Sequence, residues 1–276
     1  MNSQIFDSAR FGTYFRCYTA TNGRRLALYA AITLLIWLMV CILPYALTFF
    51  SDYLYATPVD PAWRGEANWG FLLLLVLGAC SATQLYSSLH RPGARVGVLT
   101  LPASGLEKFL TWFIIYFLGF IVVFYVSAFL ADLARVGLVH AFAAAPEAAR
   151  PITPRVLFAF GSDVPLSGYK ASDAIQLVLF YGMALLTFAS FTLGSSIFSK
   201  NAFIKTACSI AILNTVLGYV AFLSFKVFFK GGFVASNFET TGATVWAIGA
   251  TLAVLSAFFI WLSYLRFKEI DNVDRW

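Results

Sequence analysis

The 25-residue stretch LALYAAITLLIWLMVCILPYALTFF, residues 26–50, contains no charged side chain and decides the class of this protein. At about 1.5 Å per residue, a helix of this length crosses a hydrocarbon core of roughly 30 Å. Five further uncharged runs follow along the chain: Asn68–Leu89, Phe109–Ala131, Ala174–Ser199, Thr206–Phe225 and Thr240–Leu265. The sequence therefore predicts an all-α polytopic membrane protein with six transmembrane helices.

The composition supports the same class. The chain is 60% hydrophobic and only 12% charged, with a mean hydropathy of +0.79, whereas about a quarter of the residues in soluble domains are charged. A strand that crosses lipid needs a closed barrel and a period of two, and that pattern is absent. The first run is too late and too long for a cleaved signal peptide, so we expect it in the mature protein.

The basic residues predict an orientation. With the N-terminus placed in the cytoplasm, twelve of the nineteen Lys and Arg residues fall on the inner side and seven on the outer side. This asymmetry follows the positive-inside rule and places both termini in the cytoplasm. The net charge of +6 is then explained by this bias and by attraction to anionic lipid, so no nucleic acid partner is needed.

The segment ahead of the first run, residues 1–25, places aromatic residues and arginines at roughly helical spacing. This pattern is typical of an amphipathic helix in the headgroup plane, with the aromatics towards the membrane and the arginines towards phosphate. Its key residues would be Phe11, Tyr14, Phe15, Arg10 and Arg16. The Asn22-Gly23 pair predicts a break before the first span. The alternative is a short cytoplasmic tail with no fixed position.

The predicted organisation is thus an interfacial helix over residues 1–25, a six-span domain over residues 26–268 and a short cytoplasmic tail over residues 269–276.

The loop LPASGLEKFLTWF, Leu101–Phe113, carries the clearest local signal. Pro102 ends the preceding segment, Ser104 is placed to cap a helix, and Glu107 follows at the spacing of a capping box. Lys108 then stands at the edge of an apolar helix. A stiff helix start on one side of a bilayer can pass force from a soluble partner into the membrane, although the same residues could simply begin a helix.

Catalytic and metal-binding motifs are missing from the sequence. It contains no phosphate loop, no HExxH and no GxSxG, and its two histidines, His90 and His140, fall on opposite sides of the predicted membrane. The four cysteines show no metal or redox spacing. Asp132 and Arg135, one turn apart, predict a paired charge at the outer end of a span. We therefore expect no catalytic, cofactor or metal site in this chain.

Three stretches resemble the permease subunits of type-2 ABC exporters, particularly the bacterial half-size, six-span form common among Bacteroidetes. They are FDSARFGTYFRCYTATNGRR before the first span, LPASGLEKFL after the second, and LGSSIFSKNAFIKTA between the fourth and fifth. The resemblance implies an inner-membrane exporter subunit that pairs with a second permease, identical or different, and with a separate ATPase. That ATPase would hold the ATP and Mg²⁺, leaving no cofactor on this chain.

The resemblance also implies where the ATPase would dock. The coupling loop would consist of Leu101, Pro102, Ala103, Ser104, Glu107 and Lys108. A second coupling turn would contain Lys200, Asn201 and Lys205, where the break Ser199-Lys200-Asn201 separates two spans. The rival interpretation is a non-transporting membrane scaffold, or a signalling or assembly protein, whose inner loops bind another partner. A third class, an integral-membrane enzyme, would need a cluster of polar side chains in one cavity.

Overall fold

A computed structural model describes residues 6–49, 61–87, 89, 103–142, 173–198, 200–228 and 242–273. Over these ranges the protein is helical and contains no strand, so the predicted all-α class is confirmed. The helices are α1 (Ser8–Phe49), α2 (Pro61–Gln84), α3 (Gly105–Phe113), α4 (Phe120–Phe142), α5 (Asp173–Ile197), α6 (Ala202–Phe228) and α7 (Gly242–Val273). A π-helical turn, Ile114–Gly119, joins α3 to α4.

Four of these helical segments are long and apolar enough to cross a bilayer: Ser8–Leu43, Gly105–Leu138, Val178–Ile197 and Trp246–Ile270. Two shorter apolar segments are Trp69–Gln84 and Ala202–Val216. Large apolar side chains such as Leu35 and Met39 in α1 are more than 60% exposed, as expected for a lipid-facing surface. The protein is therefore a multi-pass membrane protein, and crossing by all six predicted runs stays a prediction.

The predicted break at Asn22-Gly23 is wrong, because α1 runs through this pair from Ser8 to Phe49. The Asn22 Nδ2 donates to the Tyr18 carbonyl oxygen at 3.1 Å, one turn earlier. An Asn or Gly in a helix interior costs only about 1 kcal/mol or less relative to Ala. This cost is small beside the stabilisation that a long helix gains by packing on its neighbours. No helix end therefore lies at residue 25, and the division into an interfacial segment and a first span stays a prediction.

The helices divide into two compact units, of which the first contains Met1–Ser81 and Pro102–Phe180. Here α1 packs along α3 and α4. Trp37 and Phe124 are both buried and meet edge to face, with ring centroids 5.3 Å apart. A Cβ added at Gly78 in α2 would lie 3.4 Å from Phe120, so a small residue lets α2 approach closely.

Two polar contacts lie within this unit, one of them predicted from the sequence. Asp132 and Arg135 pair as predicted, at 2.7 Å between Asp132 Oδ1 and Arg135 Nη2, and both are buried. Ser81 Oγ donates to the carbonyl oxygen of Tyr116 at 2.6 Å. That carbonyl lies in the π-helical turn, where i→i+5 winding disturbs the regular backbone ladder. A hydroxyl in an apolar helix thus finds an acceptor on the neighbouring helix.

The second unit contains Ala82–Leu101 and Tyr181–Trp276. Its helices α5 and α6 are joined by a short turn in which Asn201 has a φ of 54°, in the left-handed region that Asn tolerates better than most residues. The break predicted at residues 199–201 is confirmed, because α5 ends at Ile197 and α6 begins at Ala202. Gly194 lies against Thr206 across this turn, so closely that a Cβ would overlap the Thr206 side chain.

The buried hydroxyl of Tyr86 provides a test of packing within the second unit. It lies 2.8 Å from both the carbonyl oxygen and the Oγ of Ser263 in α7. We expect Tyr86→Phe to lower the free energy of unfolding by about 1 kcal/mol, because the Ser263 groups lose a buried partner. Thermal unfolding in detergent measures the effect, and Tyr219→Phe, at an exposed position of α6, serves as the control. Equal stabilities of the two variants would contradict this expectation.

Candidate functional site

The N-terminus of α3 has the cap that the sequence predicts. Ser104 is the N-cap residue, with φ −67° and ψ 155°, and its Oγ accepts from the backbone N–H of Glu107 at 3.3 Å. In return, Oε2 of Glu107 accepts from the backbone N–H of Ser104 at 2.9 Å. This reciprocal pair is a capping box, and it satisfies two donors that a helix start otherwise leaves unpaired.

The same Glu107 carboxylate also holds the beginning of α1. Arg10 donates from Nε to Oε2 at 3.0 Å and from Nη2 to Oε1 at 2.8 Å, so the ion pair is bidentate. The backbone N–H of Asp7 donates to Oε1 at 2.9 Å. We call Asp7, Arg10, Ser104 and Glu107 the Glu107 latch, because one carboxylate joins the start of α1 to the start of α3.

Burial and charge act in opposite directions on this carboxylate. The Glu107 side chain is fully buried, while that of Arg10 is about one-third exposed. Burial raises the pKa of Glu107, but the hydrogen bond from Arg10 and those from the Asp7 and Ser104 backbones outweigh it, so the pKa lies below its ordinary value of 4.5. The same hydrogen bond raises the pKa of Arg10. The latch is therefore held by an ionised carboxylate at neutral pH.

This lowered pKa predicts a pH dependence of stability. Because folding favours the ionised form, the stabilisation is complete above the ordinary pKa of 4.5 and is lost as pH falls through the lower, folded value. Glu107→Gln mimics the protonated carboxyl. We expect the wild type to unfold at a higher temperature than Glu107→Gln near neutral pH, and the two midpoints to converge as pH falls from 4.5 through the lower, folded-state pKa of Glu107. A constant difference across that range would contradict the expectation.

Aromatic side chains extend the contact between α1 and α3 on the C-terminal side of Arg10 and Glu107. Tyr14 and Trp112 are buried, the Tyr18 and Trp112 rings lie 6.4 Å apart between centroids, and the hydroxyls of Tyr18 and Tyr116 are 3.3 Å apart. We call Tyr14, Tyr18, Trp112 and Tyr116 the aromatic seam. Its rings fill the space between two helices, so the aromatic face of the lead segment is used for packing within the protein.

Two residues of the predicted interfacial helix have partners inside the protein. Tyr14 is buried where α1 packs on α3, whose Trp112 is also buried. Arg10 pairs with the buried carboxylate of Glu107. The position of this segment at the membrane surface stays a prediction. Phe11 and Phe15 are half-buried and touch each other, with centroids 6.2 Å apart, while Arg16 is exposed.

The residues of the predicted coupling loop lie in different environments. Leu101 and Pro102 are outside the described residues. Ala103, Glu107 and Lys108 are buried, so these three side chains are turned towards the protein. Leu106 is 44% exposed and was not singled out from the sequence. Leu106 lies in the first turn of α3, next to the inward-facing glutamate of the capping box. This position could have identified Leu106 as an exposed residue from the sequence.

The second predicted turn is exposed. Lys200, Asn201 and Lys205 all face solvent or lipid. Lys205 Nζ lies 5.9 Å from the centroid of the Phe198 ring, a cation–π distance, and its backbone N–H donates to the Asn201 carbonyl at 3.1 Å. This turn belongs to the second unit, whereas the latch belongs to the first.

The part of the chain that the structure describes shows no evident set of metal ligands. No group of three or more His, Cys, Asp or Glu side chains there is arranged to hold a metal ion. The cysteines at positions 17, 41, 80 and 208 form no disulfide. The latch is thus a mechanical and electrostatic feature of the described residues.

Comparison of the chain with protein-family models, curated proteins and solved structures finds no match.

Proposed function

We propose that this protein is the six-span permease subunit of an ATP-driven ABC exporter in a bacterial inner membrane, with both termini in the cytoplasm. ATP hydrolysis would occur on a separate ATPase chain, which holds ATP and Mg²⁺, and the permease would work as a dimer. The observation that carries the proposal is the Glu107 latch, which ties the loop of the LPASGLEKF stretch to the first membrane helix.

A coupling loop has to be stiff and firmly attached in order to pass motion from a soluble partner into membrane helices. The capping box stiffens the start of α3. The helical path then continues from α3 through the π-helical turn into α4, ending at Phe142. Because Glu107 also holds Asp7 and Arg10, a push on the loop would move the starts of two membrane helices together.

Differences in burial support a division of the proposed loop into positioning residues and candidate contact residues. Buried Glu107 and Lys108 would set the position of the loop, whereas exposed Leu106 offers an apolar surface for the ATPase. Leu101 and Pro102 remain candidate contacts by their place in the sequence. Lys200, Asn201 and Lys205 form an exposed basic turn suited to a second, weaker contact with an acidic surface.

The proposal is tested by purifying the tagged chain from its own membranes and measuring ATP hydrolysis by the nucleotide-binding subunit that accompanies it. We expect Leu106→Asp to reduce the amount of bound ATPase roughly tenfold, the effect of losing about 1.4 kcal/mol at an interface. Leu106→Met, which keeps the apolar surface, should retain both binding and turnover.

Two outcomes would contradict the proposal. One is a purified chain that moves cargo without any nucleotide-hydrolysing companion. The other is an accompanying protein without ATPase activity, which would favour the scaffold interpretation. A companion ATPase that binds Leu106→Asp as well as the wild type would exclude this loop as the docking site.

A further inference from the structure

An arginine of α1 lies beside the tyrosine hydroxyls of the aromatic seam. Arg25 Nε donates to the hydroxyl of Tyr29, one turn later, at 3.2 Å, and its guanidinium lies 5.8 Å from the centroid of the Tyr29 ring. The guanidinium is also within electrostatic range of the hydroxyls of Tyr18 and Tyr116, which are 3.3 Å from each other. We call Arg25, Tyr18, Tyr29 and Tyr116 the Arg25 cluster.

The members of the Arg25 cluster come from two helical segments that pack together. At 100° per residue, Tyr18, Arg25 and Tyr29 fall within an arc of about 40° on α1. Tyr116 belongs to the π-helical turn after α3 and interacts with all three of them. The Tyr116 side chain is buried, whereas those from α1 are only half-buried. The cluster is therefore fixed by packing on one side and accessible from outside the protein on the other.

The cluster contains more hydrogen-bond donors than its own acceptors use. Either hydroxyl can donate in the contact between Tyr18 and Tyr116, but only one proton lies between the two oxygens, so one phenolic proton remains. The Tyr29 oxygen accepts from Arg25, which leaves the Tyr29 proton to be donated elsewhere. Among the described residues, no acceptor contacts either of these two protons. A ligand with negative charge and several oxygen acceptors fits this set of donors.

The position of the cluster along α1 indicates where such a ligand would come from. Arg25 is the last charged residue before the uncharged run at residues 26–50, and α1 continues into this run without a break. When the run crosses the hydrocarbon core, Arg25 lies at the depth of the lipid headgroups. Basic pockets between membrane helices at this depth are typical binding sites for anionic headgroups.

We propose that the Arg25 cluster binds the phosphate group of an anionic phospholipid. The guanidinium supplies positive charge and N–H donors in the fork geometry that suits phosphate, and the two remaining phenolic protons donate to further phosphate oxygens. The bound lipid would contact α1 and the π-helical turn at once, so it would strengthen the junction of the two segments. The inference requires that α1 lies in a bilayer, but it requires neither an ATPase nor transport.

Lipid binding is measured by native mass spectrometry of the purified, delipidated full-length chain in detergent, titrated with phosphatidylglycerol. We expect Arg25→Gln to weaken binding roughly tenfold, the equivalent of about 1.4 kcal/mol, and Tyr29→Phe, which removes one phenolic donor, to weaken it roughly threefold. Arg24→Gln removes the same charge from the neighbouring, exposed position and should change binding less than about twofold. Equal losses for Arg24→Gln and Arg25→Gln would overturn the proposal, because general charge attraction would explain both.

Two further measurements use the wild-type chain and do not depend on the folding of any variant. Inorganic phosphate at the same concentration should not displace phosphatidylglycerol, and displacement would overturn the assignment to a lipid in favour of free phosphate. Phosphatidylglycerol with a photoreactive group beside its headgroup should label peptides that contain residues 18–29 or Tyr116, and labelling only elsewhere would overturn the site. Because these measurements use the chain alone, a failure of the exporter function would leave their results unchanged.

Discussion

Glu107→Ala is expected to lower the free energy of unfolding by about 2–4 kcal/mol, because several hydrogen bonds end on this one buried carboxylate. The change removes half of the capping box, which alone contributes about 1 kcal/mol. It also takes away the acceptor for the Asp7 and Ser104 backbone N–H groups and for the Arg10 guanidinium, and hydrogen bonds to charged groups contribute about 1.5–3 kcal/mol each at most. Thermal unfolding in nanodiscs measures the loss.

The chain contains a matched control for this substitution. Arg266 and Glu269 form an ion pair with the same 2.7–2.8 Å separation as Arg10 and Glu107, but both of its side chains are more than half exposed. Surface pairs of this kind contribute about 0–1 kcal/mol, so Glu269→Ala should change stability little. If Glu107→Ala and Glu269→Ala have equal effects, the latch does not hold α1 to α3.

A double-mutant cycle separates the parts of the latch. Arg10→Ala combined with Glu107→Ala should cost less than the sum of the two single substitutions, because both remove the same ion pair. The remaining effect of Glu107→Ala belongs to the capping box and to the Asp7 backbone. Additive effects would mean that Arg10 and Glu107 act independently.

Gly194→Ala is expected to destabilise the α5–α6 hairpin by about 1–3 kcal/mol, the usual cost of forcing an extra carbon into a packed site. The new Cβ would overlap Thr206, whose Cβ would be only 2.8 Å away. Helix propensity alone predicts the opposite sign, since Ala is favoured over Gly by about 0.5–1 kcal/mol within a helix. A measured loss of stability would therefore show that packing against Thr206 outweighs helix propensity at this position.

Two variants complete this test. Gly137→Ala in α4 places a Cβ in open space, with nothing within 4 Å, so it should be neutral or slightly stabilising. Thr206→Ala removes Oγ1 and Cγ2. Added to Gly194→Ala, it should restore part of the lost free energy of unfolding. A Gly194→Ala variant as stable as Gly137→Ala would contradict the packing of Gly194 on Thr206.

Local sequence rules predicted the features that depend on a few neighbouring residues. The capping box at Ser104 and Glu107, the turn at Asn201 and the pairing of Asp132 with Arg135 all follow from spacings of one helical turn or less. Each long apolar run also contains a helix over most of its described residues, because in lipid the backbone must satisfy its own hydrogen bonds.

Features that depend on distant residues could not be predicted in this way. Arg10 and Glu107 are 97 residues apart, so the second role of the capping glutamate has no local signal. Continuity of α1 through Asn22-Gly23 depends on tertiary packing, which overrides weak propensities. The composition of IIYFLG, Ile114–Gly119, also does not distinguish a π-helical turn from an α-helix.

The unbroken length of α1 has a consequence for how motion travels in this protein. Its 42 residues extend over about 63 Å at 1.5 Å per residue, roughly twice the thickness of a hydrocarbon core. Proline is the residue type that most often kinks a helix, and from Ser8 up to Pro44 α1 contains no proline and no interruption. A tilt of the end that Glu107 holds would therefore be carried along this stretch as a rigid-body motion.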